Sequence, residues 1–200
     1  VFIGENGPPT GYSEDTDAHA RFVEVRYEDE SAAFTRDDPF ALPFLSRNRA
    51  YRGQSFCFDG KGGVYHPVSC RPSRYERGHT KGGVMLMRRD PDGRWQASNA
   101  RFVTEEISSR GMLEPDAAVL TTGNIMVVCR GSDTEKTAGR KWMTWSEDGG
   151  TTLAPIEELR YASGERFFSP SSIHRFIRSS KTGNLHWIGN ICEEPPSGNN

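Results

Sequence analysis

The 200-residue chain is short of several things, and each shortage removes a class of protein. No apolar run approaches the roughly 20 residues needed to span a bilayer as a helix. A net charge of −2 offers no clustered basic face, so nucleic acid is an unfavoured partner. Four cysteines, Cys57, Cys70, Cys129 and Cys192, are widely spaced, with neither a CxxC pair nor a Cys/His ligand spacing. A zinc site is not expected, and buried free thiols are the default, with a Cys57–Cys70 bridge left open. The histidines are scattered, with His66 and His186 inside strand patterns that suit packing or pore lining. No metal or cofactor is implied. The chain opens on Val1 without a charged-then-apolar leader and closes at Ser197–Asn200, a pattern expected of a fragment of a larger domain.

What is present is turn chemistry and a repeat. With 21 Gly, 12 Pro, 34% hydrophobic and 26% charged residues, the composition is that of a folded, turn-rich chain. Gly63, Gly123 and Gly183 lie sixty residues apart, each ahead of an apolar strand: Val64–Arg71, Ile125–Arg130 and Leu185–Cys192. From Arg71 the chain runs 19 residues to Asp90, and from Arg130 it runs 18 to Asp148; each aspartate opens an acidic turn. Val84–Met87 and Trp142–Trp145 supply the strands before those turns. Strand, loop, strand, acidic turn at a fixed period is the pattern of a unit that must stack on copies of itself. An all-β, partial β-propeller of about three four-stranded antiparallel blades is expected, in units of about 50–110, 111–168 and an incomplete 169–200. Upstream, 21–27 alternates as a half-exposed strand, 29–34 carries an Asp-to-aromatic spacing, and 40–45 is an apolar loop. No separate domain is assigned there.

The most specific motif is Ser146-Glu147-Asp148-Gly149-Gly150-Thr151-Thr152-Leu153. It resembles the Asp box of sialidases and related propellers, with Ser146, Asp148, Gly150 and Thr152 matching and Leu153 replacing the usual aromatic. Such a turn is structural: Ser and Asp side chains bond backbone N–H groups and Gly takes positive φ. Asp90 to Trp95 is similar to a degenerate copy.

The segment Glu114 to Arg130 resembles the sialidase arrangement in which a glutamate opens a strand and an arginine closes the next, shortly before an Asp box. That resemblance implies a glycosidase acting on a terminal acidic or polar sugar, expected to be secreted or periplasmic. In it Arg130 would belong to an arginine triad holding the sugar carboxylate, and Glu114 would take a proton from a tyrosine nucleophile. Asp116, two residues on, would share a face with Glu114 in an extended strand, giving an alternative acid/base pair of carboxylates. Ala50-Tyr51-Arg52-Gly53-Gln54 stands where a sialidase carries Tyr-Arg-Ile-Pro, making Arg52 and Arg71 candidate anion ligands and Glu76 a candidate acid; the Ile-Pro is absent. The same segment also fits a later blade. Phe168–Ile173 with Trp187–Asn190 is similar to the strand pair before the third arginine, while Tyr65 and Tyr161 have no motif around them. The missing blades would complete the site, so the chain by itself is expected to be inactive. A non-catalytic Asp-box propeller that binds glycan or protein is the alternative.

Overall fold

A computed structural model describes residues 55–70, 82–134 and 136–195 with their side chains, and the backbone of five earlier strands and of 71–72. Among the described residues the chain is all-β, with no helix and no sheet closed into a barrel. Strands β1 (Phe2–Glu5), β2 (Arg21–Glu28), β3 (Ala33–Arg36) and β4 (Phe40–Ala41) form the first sheet, all paired antiparallel. Phe40 and Ala41, expected in a loop, pair instead with Phe22 and Arg21.

The next sheet contains six strands: β5 (Asn48–Tyr51), β6 (Cys57–Phe58), β7 (Val64–Pro72), β8 (Gly83–Arg89), β9 (Trp95–Ala97) and β10 (Arg101–Phe102). They occupy four columns. β5 and β6 pair with opposite ends of β7, and β9 and β10 with opposite ends of β8. The break between β9 and β10 costs the ladder little, because Ser98 exchanges both bonds with the Leu86 backbone: N–H to Leu86 O at 2.9 Å and Oγ accepting Leu86 N–H at 2.9 Å. The third sheet is an uninterrupted meander of β11 (Leu113–Val119), β12 (Ile125–Arg130), β13 (Lys141–Ser146) and β14 (Glu157–Glu158). A final hairpin joins β15 (Arg175–Arg178) to β16 (Leu185–Ile188).

One turn recurs along the chain. The first N–H bonds a carbonyl four residues on, and a glycine in the left-handed region follows; this occurs at 59–63, 90–94, 120–124 and 161–165, and with one more residue at 179–184. At 90–94, 120–124 and 161–165 the glycine N–H also bonds the first carbonyl, the geometry of a type I turn with a G1 bulge, which needs φ > 0 at the glycine. The glycines concerned are Gly62, Gly93, Gly123, Gly164 and Gly183. Gly62 therefore takes the role that the sixty-residue spacing gave to Gly63.

The sheets stack face to face. Along β8, Val84 and Leu86 enter a core shared with Ile125, Val127 and Cys129 of β12, while Met85 and Met87 pack on the opposite face with Val68 and Cys70. Alternation along a strand buried on both sides produces this split. At the crossing from the second sheet to the third, Gly82 and Gly111 run side by side, and a Cβ on Gly111 would stand 2.2 Å from the Gly82 carbonyl oxygen. Only glycine permits that approach.

The acidic turn locks the two sheets together. Asp148 accepts the N–H groups of Thr151 (3.0 Å) and Thr152 (2.9 Å), the Thr152 hydroxyl (2.7 Å) and the Ser146 hydroxyl (2.9 Å); Ser146 Oγ accepts Gly150 N–H at 2.8 Å. These bonds pull the Asp148 pKa down to about 2, the Thr152 N–H bond contributing most. Arg88 of β8 reaches over to Gly149 O and Thr151 Oγ1. Asn99 clasps the backbone of Leu153, accepting its N–H at 2.7 Å and donating to its carbonyl at 3.3 Å. Leu153, standing where the motif has an aromatic, is fully buried between the sheets.

Candidate functional site

Glu114 and Arg130 meet at one end of the third sheet because of a defect in the ladder. Leu113 faces Arg130 and Asp116 faces Val128, so two residues of β11, Glu114 and Pro115, stand opposite Cys129 alone. This is a β-bulge. Pro115 suits it, since a bulge needs no ladder donor there. Glu114 carries φ = 47°, the one positive φ on a non-glycine among the described residues. A side chain in that conformation costs about 1–2 kcal/mol and is found where the surroundings over-determine it. Here the Glu114 N–H donates to Ser69 Oγ on β7 at 3.2 Å, and its carboxylate accepts Arg130 Nη1 at 2.7 Å.

Arg130 is held from a second side by Ser171, which accepts its Nε–H at 2.7 Å. Its side chain is 14% exposed and that of Glu114 is 34% exposed, so the pair lies in a partly dewatered niche. Behind it, across β13 from Arg130, is Lys141. Lys141 is completely buried, and its ammonium donates to the carbonyls of Ser172 and Pro170, fixing the segment that presents Ser171. Burial first, and the Arg130 charge second, push the Lys141 pKa down to about 8. His174, also buried, bonds Val128 O at 2.9 Å and is pushed down to about 4, by burial and then by Lys141. One carboxylate against an arginine and a lysine leaves the niche short of negative charge.

Asp116 does not share the face of Glu114, because the bulge between them breaks the two-residue alternation. Its carboxylate, 1% exposed, accepts three donors from three parts of the chain. Ser55 Oγ and the Ala117 N–H (3.0 Å) reach Oδ1, and the Phe176 N–H reaches Oδ2 at 2.6 Å. It is a tie between the second sheet, the third sheet and the final hairpin. Arg71 lies on β7 opposite Arg49, two residues beyond Ser69. The Arg71 side chain, Arg52 and Glu76 lie outside the described residues.

Lys141, Ser171, Ser69 and His174 were not singled out by sequence reasoning. For Lys141 a signal existed: a lysine opening an otherwise apolar strand directly after a loop, where cross-strand pairing sets it beside Arg130. Ser171 carries none, since its role depends on contact across sheets. The thiols are free. Cys57 faces Tyr65 on β7 whereas Cys70 lies five residues further along that strand, so register separates them. Burial pushes the Cys57 and Cys70 thiols up to about 12. His66 is packed, its ring stacked on Phe56 at 4.2 Å. Among the described residues no His/Cys/Asp/Glu group could hold a metal, and no helix is long and apolar enough to cross a membrane.

No family model and no curated protein matches the chain. Among solved structures it is similar to the crystal structure of a protein of unknown function from Dyadobacter fermentans DSM 18053, with a TM-score of 0.51 and 19% identity. The match covers 82% of this chain and 42% of that one, so this chain spans less than half the length of its structural neighbour. What the two share is the all-β fold.

Proposed function

We propose that the chain is part of a sialidase-like β-propeller and that its parent is a glycosidase cleaving a terminal acidic or polar sugar from a glycan. The Glu114–Arg130 contact carries the reading: a glutamate in a strained bulge meets an arginine whose other edge is fixed by Ser171. Four-column antiparallel sheets, stacked face to face and locked by the Ser146–Leu153 turn, support the propeller. Further blades would complete the ring, and the greater length of the structural neighbour accords with that.

In this reading Arg130 binds the carboxylate of the sugar through its remaining terminal N–H groups, and the buried Lys141 adds positive potential from behind. Ser171 and Glu114 hold the guanidinium plane in advance, so little orientation is lost on binding. Glu114 takes the proton of a nucleophile supplied from outside this sheet. A glycan-binding propeller without catalysis is the second reading. It is favoured by the commitment of every Asp116 oxygen to structural donors, which leaves the niche with one carboxylate, itself paired.

The test measures, on the full-length parent protein, binding of a dehydrated sialic-acid analogue and hydrolysis of a fluorogenic sialoside by wild type, Arg130→Ala and Glu114→Gln. Arg130→Ala should weaken analogue binding about 10- to 100-fold, the value of a charge-assisted bidentate contact. Glu114→Gln should keep binding and lose any turnover. Arginine-dependent binding without turnover selects the second reading; equal binding of neutral sugars, or indifference to Arg130→Ala, rejects both.

A further inference from the structure

The end of the third sheet that carries Glu114 and Arg130 bears a second group of charges further out, gathered around Glu158 of β14. Glu158, opposite Trp142 and only 9% exposed, is approached by three guanidinium groups: Arg140 Nε at 2.8 Å, Arg166 Nε at 3.0 Å and Arg160 Nη2 at 3.2 Å. Arg140 is 12% exposed, and its guanidinium carbon sits 4.0 Å from the centre of the Phe168 ring, which fixes its plane. Burial lowers the Arg140 pKa; Glu158 opposes that and the neighbouring Arg166 and Arg160 add to it.

No other carboxylate among the described residues pairs with these arginines, so one negative charge faces three positive ones. Arg160 and Arg166 are 42% and 61% exposed. Arg166 engages Glu158 through Nε, and its terminal nitrogens have no protein hydrogen bond among the described residues. Guanidinium groups gathered around a single, nearly buried carboxylate repel one another. An added anion would relieve that repulsion, and their planar forks match oxyanions.

We propose that Arg140, Arg160 and Arg166 form an oxyanion-binding site for a sulfate, phosphate or carboxylate group, separate from the Arg130 niche. Arg160 and Arg166 contact the ligand, and Arg140 supplies fixed charge beneath it. The site uses none of the residues on which the glycosidase reading rests, and it stands if that reading falls. If both hold, the glycan carries a second anionic group.

The experiment is a titration with inorganic sulfate at constant ionic strength, replacing chloride, followed through the arginine Nε–H resonances. Saturable shifts are expected at these three arginines. Arg166→Ala, an exposed side chain whose loss should leave the fold intact, is expected to weaken sulfate about tenfold, the low end for a charged hydrogen bond. Glu158→Gln should tighten it, because a competing carboxylate is gone. Opposite signs for the two variants separate ligand binding from general damage. Parallel titrations with phosphate and with glucuronate distinguish tetrahedral from planar carboxylate ligands, and saturable binding of any of the three supports the site. Shifts that rise linearly without saturating, that are unchanged in Arg166→Ala, or that vanish in Arg130→Ala instead, overturn it.

Discussion

Replacing Asp116 by asparagine removes one charge and almost no volume, yet the hydrogen bonds leave no good orientation for the amide. Oδ1 accepts two donors, the Ser55 hydroxyl and the Ala117 N–H, and Oδ2 accepts the Phe176 N–H. If the new NH₂ group takes the Oδ2 position it faces the Phe176 N–H donor to donor. If it takes the Oδ1 position, Ser55 can turn and accept, but the Ala117 N–H is orphaned. Either way one buried donor goes unpaired, at about 1–3 kcal/mol, to which the loss of charge assistance adds. A destabilisation of about 2 kcal/mol follows. With a urea m value of about 2 kcal/mol/M the unfolding midpoint should fall by about 1 M. Asp116→Ala, which orphans all three donors, should cost more. Native-state hydrogen exchange should show the Phe176 amide losing protection first, since the final hairpin hangs on that bond. A midpoint for Asp116→Asn within about 0.2 M of wild type would refute the reasoning, and would return Asp116 to the list of residues free for chemistry.

Three further outcomes are expected. Glu114→Gly should be about 1 kcal/mol more stable than Glu114→Ala in urea unfolding, the reverse of the usual order in a strand, because both lose the Arg130 pair but only glycine relieves φ = 47°. Below neutral pH, stability should fall in two windows as the pH drops: from about 6.5 to 4, because buried His174 and His66 bind their protons more weakly folded than unfolded, and again from about 3.8 to 2 as Asp148 is protonated. His174→Gln, which can still donate to Val128 O, should shrink the first window to the part that buried His66 leaves, without touching the second; unchanged pH dependence would contradict the burial of His174 as a neutral ring. A disulfide-exchange thiol reagent at pH 8 should label Cys192 well ahead of Cys57, Cys70 and Cys129, whose thiols burial pushes up, and all four in denaturant; fast labelling of Cys70 would disprove the packing of β7.

The sequence alone determined the elements whose causes are local. A glycine that must take positive φ, an aspartate that caps its own turn and an apolar run between them are short-range physics, so the hairpin after β11 and the Ser146–Leu153 turn were legible residue by residue. The order of Glu114, the turn at Gly123 and Arg130 likewise fixed that the two charges lie at one sheet end, because antiparallel pairing returns the chain to where it began. Register, burial and contacts between sheets are set by distant parts of the chain, and only the tertiary structure decided them. The bulge at Glu114–Pro115 moved Asp116 off the expected face, and no count of residues could show it, since a single inserted residue inverts every side chain beyond it. Lys141 reads as a solvated strand end until the Pro170–Ser172 carbonyls close over it. The arginines around Glu158 come from two segments, Arg160 and Arg166 flanking one turn just after β14 and Arg140 just ahead of β13, so Arg140 joins them only once those strands have paired.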